Sequence, residues 1–465
     1  MHSSYPFLFL LAVAVASILP ETKVEGAFSS PSPECNFDTW GSTNETASLT
    51  TAIGRSAASP VTVGHQQLKL VDPNRGDRPV TTDIWYPAIA TGDEDFTRYN
   101  PLLPSDGTYY KALEGPTVAE GTFPLLVFSH GSFAYASSSA TLMEHLASWG
   151  FVVAAPDHAG NSYNDDPNNP VPFSTKDRPM DVSFVIDSLL ESPEDFSISS
   201  SLIGVLGNSY GGLTAGLVAS GFEDYERDTR VLATMPISPS INFGSEDRGI
   251  LSNIAVPMLL MGGVNDTTTP IANNELFFEE SINSFPRWSA VIENAGHSSF
   301  QDICILYEIV LNNFANGNVD LTYTLLGNGN LEIGKERIES AFCTNSLEDT
   351  LPVVDFSAVA FFRSILLGDS IARNCLKDLY AAQQPPISFA FGIDEESKEE
   401  EEEHSHSHSR DEGEEHSHDE DEEEHGHSHD ESEEHSHTED SSANAHSVWL
   451  VAAGTSFAIL VILGL

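Results

Sequence analysis

Ser209 sits between two glycines in Gly207-Asn208-Ser209-Tyr210-Gly211, a pattern in which a serine can stand out from a tight turn and attack a carbonyl carbon. Its hydroxyl is a weak nucleophile until a neighbouring base takes the proton. Of 17 histidines, eleven lie from His404 onward and His2 lies at the start, which leaves His65, His130, His145, His158 and His297. His297, in Asn294-Ala295-Gly296-His297-Ser298, follows an apolar run and must be neutral to act as base. His158, in Pro156-Asp157-His158, is its rival, and His130 reads as structural. An acid is then needed to fix the imidazole tautomer and stabilise the imidazolium. Asp266, in Gly262-Gly263-Val264-Asn265-Asp266-Thr267, lies between serine and histidine in chain order. The plainer alternative is that it caps the segment after Pro270. Ser209, Asp266 and His297 would form and hydrolyse an acyl-enzyme, with no cofactor for the catalysis.

Residues this far apart meet only on a frame that delivers them to one edge. Short apolar runs at Leu125–Phe128, Phe151–Ala155, Leu202–Leu206, Val231–Ile237, Met258–Met261 and Trp288–Ile292 read as strands covered on both faces. Thr62–Val71 and Val80–Tyr86, parted by Asp72-Pro73-Asn74-Arg75-Gly76, read as an antiparallel pair at the sheet edge. Helical patterns fall between them at Ser137–Ser148, Met180–Leu190, Tyr210–Ala219, Ala272–Ile282, Phe300–Asn312 and Asp355–Leu366. The alternation predicts an α/β fold, a mainly parallel sheet with helices on both faces, over residues 61–387. Ser209 then falls on a strand-to-helix turn, where the helix N-terminus favours a developing oxyanion. The Tyr210 N–H is one expected oxyanion donor. The other comes from Phe128-Ser129-His130-Gly131-Ser132-Phe133, with Ser132 N–H chosen ahead of Phe133. Phe133 and Tyr135 could line an acyl pocket. The segments His158–Arg178 and Ser238–Ala255 could add modest flaps over an open site.

Several stretches in order resemble known families. Leu68–Pro73 through Ile84–Ala88, Leu126–Gly131, Leu146–His158 and Arg178–Phe184 look like the predicted dienelactone hydrolases, an α/β-hydrolase group similar to the platelet-activating factor acetylhydrolases and, more distantly, to bacterial polyester hydrolases. The resemblance spans residues 61–367 and implies ester hydrolysis of short-acyl esters, oxidised or short-chain phospholipids among them. Plasma-type acetylhydrolases place the acid after the strand that follows the nucleophile; here that strand ends in Ser238-Pro239-Ser240. Asp266 lies one strand later, as in the polyester and dienelactone hydrolases. A dienelactone hydrolase proper would carry a cysteine at the position of Ser209.

The formal charge of -50 over 465 residues repels nucleic acid and anionic headgroups, so nucleic-acid binding is excluded. The ends carry other signals. Residues 1–26 read as a secretory signal around the apolar run Phe7–Leu19, with cleavage after Ala16 or near Gly26 or Ala27. Residues 27–60 read as a flexible leader with a glycosylation sequon at Asn44. Secretion would let Cys35, Cys304, Cys343 and Cys375 form two disulfides in any of three pairings. Residues 388–447 read as an acidic stalk: Asp394 to Asp440 holds 24 Asp and Glu against Lys398 and Arg410. Its histidines are clustered: His404, His406 and His408, His416 and His418, His425, His427 and His429, His435 and His437. Imidazoles two apart suit zinc or another divalent transition metal, with a solvated spacer as the plain alternative. Residues 448–465 are apolar and follow the small residues Ser441, Ser442 and Ala443, which predicts either a glycosylphosphatidylinositol signal or a membrane helix. The expected location is the secretory pathway and the cell surface, membrane-anchored through this C-terminal segment. A contrasting reading is a surface metal-binding protein whose hydrolase domain is idle.

Overall fold

The computed structural model describes residues 61–99, 105–107, 109–241, 248–293, 295–305, 347–382 and 387–391. The signal, leader, stalk histidines and apolar C-terminus lie outside the described residues, as do Cys35, Cys343 and most of the helix expected at Phe300–Asn312.

The apolar runs form one sheet. Its strands are β1 (Val63–Asp72), β2 (Arg78–Ile89), β3 (Leu113–Glu114), β4 (Thr117–Val118), β5 (Phe123–Ser129), β6 (Val152–Pro156), β7 (Ile198–Asn208), β8 (Val231–Ile237), β9 (Met258–Gly263), β10 (Arg287–Ile292) and β11 (Ile387–Phe391). Their spatial order is β11-β10-β9-β8-β7-β5-β6-β2-β1-β3, with β4 paired to β2. The neighbours from β6 through β5 to β10 are parallel. β1 and β2 pair antiparallel from Val63↔Pro87 to Asp72↔Arg78, as the turn-rich break between them predicts. That break is a short 3-10 turn, Pro73–Arg75, capped by the Asp72 side chain and closed by Gly76 at φ 69°.

Helices cover both faces because each parallel strand must return to the same edge. They are α1 (Ala140–Ser148), α2 (Asp177–Glu191), α3 (Tyr210–Ser220), α4 (Ile271–Glu280), α5 (Leu347–Leu366) and α6 (Ser370–Ala382). Side chains alternate along β5 as a strand's period of two requires: Leu126 and Phe128 join the core under α1 and α5, Leu125 and Val127 the core under α2 and α3. On the first face Phe361 and Phe362 of α5 are fully buried, and Phe362 packs edge-on to Phe151.

Three elements depart from the sequence pattern. α5 begins eight residues before Asp355 and runs through Pro352, which forgoes one helical hydrogen bond. α6 has no counterpart among the helical patterns. β11 pairs antiparallel with β10 from Trp288↔Phe391 to Ile292↔Ile387, so the sheet continues past the expected domain end at 387. Cys304 and Cys375 are both buried.

Candidate active site

The carboxyl ends of four parallel strands carry the chemistry. β7 ends at Asn208, and Ser209 turns the chain into α3 at φ 59°, ψ -120°, a conformation that costs a non-glycine residue of order 1–3 kcal/mol. The surroundings dictate the glycines. A Cβ on Gly211 would overlap the Ser129 carbonyl, one on Gly207 would overlap the Gly211 carbonyl, and one on Gly212 would stand 2.8 Å from the Ile237 carbonyl. The helix packs that close to the sheet only without side chains. Ser240 N–H donates to the Ser209 carbonyl and Ser209 N–H to that of Ile237, so the strained turn is held from β8. Gln301, on the histidine loop, donates to Asn208 Oδ1 and ties that loop to the elbow.

His297 Nε2 lies 2.9 Å from Ser209 Oγ, and His297 Nδ1 lies 2.7 Å from Asp266 Oδ2. Sequence reasoning selects these three residues, and the structure brings them together. Asp266 follows β9 and His297 follows β10. The two oxygens of Asp266 divide the work. Oδ1 accepts from the Thr268 and Thr269 N–H groups and shapes its own loop; it does not cap the helix after Pro270, whose N-cap is Pro270 itself with no side-chain hydrogen bond. Oδ2 holds His297 and also accepts from Thr269 Oγ1 at 2.8 Å. Burial pushes the Asp266 carboxyl up. The hydrogen bond and charge of His297 and the Thr269 donors outweigh it, so the net pKa is lowered and the group stays ionised. Thr269 escapes the sequence reading. The signal for it is a hydroxyl three residues after the acid, where an Asx turn places a donor.

The residues expected as oxyanion donors lie at the same edge. Tyr210 is the first residue of α3, so no carbonyl of its own helix reaches its N–H. The loop after β5 passes close enough that a Cβ on Gly131 would lie 3.4 Å from Ser209 Cβ. Phe133, at φ 55°, gives its N–H to the Asn161 carbonyl at 3.1 Å. That engages the fallback donor and leaves Ser132 the better placed of the two. Phe133 and Tyr135 are half-buried on this loop, and the Tyr135 ring lies 6.4 Å from that of Tyr163 in the flap. Phe173 and Thr175 of the same flap flank Tyr210, whose hydroxyl meets Thr175 Oγ1 at 2.7 Å.

The other histidines lie elsewhere. His158 is fully buried between Ser129 Oγ (2.9 Å) and Asp181 Oδ2 (3.0 Å). Burial and the nearby Arg178, Arg78 and Arg75 charges hold it well below the usual histidine range. His130 is likewise buried, its Nε2 accepting from the His158 N–H, and burial keeps it neutral. His65 packs against Trp85 and Tyr99, and His145 sits in the core on α1. Of the other carboxylates near the histidine, Glu293 is exposed and Asp302 binds Thr141 and Tyr110. Among the described residues no group of three or more metal-ligating side chains is assembled. None of the described helices is long and apolar enough to cross a membrane.

A family model described as PETase, PET hydrolase-like, matches residues 105–305. The chain is 29% identical over 185 residues to a bis(hydroxyethyl) terephthalate hydrolase of Streptomyces coelicolor, covering 39% of this chain and 53% of that protein. It is 25% identical over 278 residues to chlorophyllase-1 of Citrus sinensis, covering 56% of this chain and 74% of that protein. The chain thus spans about half the length of the first relative and three quarters of the second. Among solved structures, a ferulic acid esterase from Streptomyces cinnamoneus superposes with a TM-score of 0.52 at 21% identity, over 71% of this chain and 97% of that one. The fold is that of the α/β hydrolases, and the resemblance to polyester hydrolases is carried by these matches.

Proposed function

We propose that this chain is a serine carboxylic ester hydrolase that works through an acyl-enzyme on Ser209. One observation carries the reading: Ser209 Oγ, His297 Nε2, His297 Nδ1 and Asp266 Oδ2 form a continuous relay, 2.9 and 2.7 Å long in its two links, ending on a strained elbow at a helix N-terminus. His297 takes the serine proton as Oγ attacks the ester carbonyl and returns it to the leaving alcohol. Water then repeats the sequence in reverse roles. Negative charge on the carbonyl oxygen falls to the N–H groups of Tyr210 and Ser132. An intact relay also argues against an idle hydrolase domain.

The substrate class is small, short-acyl carboxylic esters, reached through an open site where Ser209 is only half-buried. Asp266 follows β9 rather than β8, which favours the polyester and dienelactone arrangement over the acetylhydrolase one. The relative named as a bis(hydroxyethyl) terephthalate hydrolase points the same way. Phe133 and Tyr135 are proposed to line the acyl side. The stalk histidines are proposed to take up zinc or another divalent transition metal apart from catalysis, a role that calorimetry on chains with and without 394–440 would test.

Hydrolysis of p-nitrophenyl acetate tests the reading. Ser209→Ala should lower kcat by about 10⁴–10⁶-fold with the fold retained. Asp266→Asn should lower it by about 10⁴-fold through the wrong tautomer. A Ser209→Ala protein within tenfold of wild type would remove the assignment.

A further inference from the structure

Arg178 is buried without a carboxylate on it among the described residues, and its acceptors are all neutral. One Nη donates to Asn161 Oδ1 at 2.7 Å; the other donates to Ser129 Oγ at 3.2 Å and to the His130 carbonyl. Its Nε finds no acceptor, and its guanidinium lies 5.0 Å from the centre of the Tyr210 ring. The nearby carboxylate of Asp181 is taken up by Arg75, Arg78 and His158. A buried cation with an unfilled donor and no counter-charge in contact costs stability, so burial for its own sake is a poor account of it.

Its acceptors give a better account. Ser129 and His130 open the loop that carries Ser132. Asn161 passes the grip onward, its Nδ2 donating to Ser132 Oγ at 3.1 Å and its carbonyl accepting from Phe133 N–H at 3.1 Å. Tyr210 supplies the other oxyanion donor. The two donors come from different segments, after β5 and at the start of α3, and backbone N–H groups stabilise an oxyanion only when both are aimed at one point. A planar guanidinium gives its donors to the β5 loop and Asn161 while lying against the Tyr210 ring of α3, a combination of directed donors and flat stacking that a flexible ammonium does not offer.

We propose that Arg178 is a positioning residue that registers the two halves of the oxyanion hole against each other, with Asn161 as its extension to Ser132. This rests on the serine hydrolase reading above. It acts on charge that develops only during acyl transfer, so it should appear in kcat rather than in KM.

Full-length wild type, Arg178→Met, Arg178→Lys and Asn161→Ala are compared on p-nitrophenyl acetate, with a trifluoromethyl ketone whose adduct places an oxyanion in the hole. In Arg178→Met, kcat should fall by about 100-fold, since a misplacement of about 1 Å costs that much. Affinity for the ketone should fall by the same factor and KM stay within twofold. Arg178→Lys should recover only part of the loss, and Asn161→Ala should lose about tenfold in kcat and in ketone affinity. Folded Arg178→Met with wild-type kcat, or a kcat loss with unchanged ketone affinity, overturns the proposal. Should Arg178→Met fail to fold, Asn161→Ala decides alone, and wild-type kcat there overturns it. A wild-type protein that neither hydrolyses the ester nor binds the ketone refutes the hydrolase reading itself, a result distinct from an active wild type with indifferent variants.

Discussion

Ser129, His158 and Asp181 repeat the bonding of Ser209, His297 and Asp266 almost atom for atom, with links of 2.9 and 3.0 Å against 2.9 and 2.7 Å. Bonding alone therefore does not make a nucleophile. Ser129 is 1% exposed and ends a regular strand, whereas Ser209 stands half-buried on a turn at positive φ. Ser129 also accepts from Arg178, and the cations around His158 together with its burial make it a poor acceptor of a proton. A fluorophosphonate should therefore label one serine, and peptide mass spectrometry should find the adduct on Ser209; an adduct on Ser129 would mean that access has been misjudged. Sequence order distinguishes the two sets: His297 follows both Ser209 and Asp266, the order Ser, Asp, His of this fold, whereas His158 precedes Asp181. Arg178 and Asp181 are legible in principle. They fall at the spacing of Val182 and Val185 on the buried face of α2, and charges inside an apolar stripe mark a polar network.

The elements that position the triad are readable because each is a short apolar run covered on both faces. β7 shows the limit of that signal. Leu202–Leu206 is visible, but the strand starts at Ile198, where Ser199, Ser200 and Ser201 carry no apolar pattern and Ile198 pairs with Phe123. β11 is unreadable for a related reason: its residues Ile387–Phe391 precede the acidic stretch, and nothing local shows that they return to the far edge beside β10. That pairing matters for where the α/β domain ends. β10 leads directly into the His297 loop, and β11 covers its outer edge. A chain ending at residue 386 would leave the backbone of β10 unpaired at an edge that invites association. It should unfold at lower urea than a chain ending at 391 and lose part of its esterase activity. Equal urea midpoints for the two would show that β11 contributes nothing to the sheet.

Across the whole molecule, buried titratable groups oppose one another. His130 and His158 are held neutral in the fold, while in the unfolded chain they titrate at about 6.5. Their folded pKa values are depressed, so their contribution is present above about pH 6.5 and is lost as pH falls. Glu144 and Asp302 act the other way. Burial pushes Glu144 to about 7, although the Lys111 and Ala112 N–H groups and Tyr99 donate to it, and pushes Asp302 to about 6. Raised carboxyl groups contribute stability that is fully present below their unfolded values, near pH 4, and lost as pH rises through 6 to 7. Between about pH 4.5 and 6 the unfolded chain gains two protons on the histidines while the native state holds two on the carboxyls, so these four groups nearly cancel. Glu144→Gln isolates one side of that balance. Glutamine does not titrate, so the stability of wild type relative to the variant should fall by about 3 kcal/mol as pH rises from about 4.5 to 7, one proton costing about 1.4 kcal/mol for each tenfold drop in its concentration. Urea melts of the two proteins at pH 4.5, 5.5, 6.5 and 7.5 measure that difference directly. A gap that stays constant over the range would show that Glu144 is ionised in the fold throughout, with its three donors outweighing its burial.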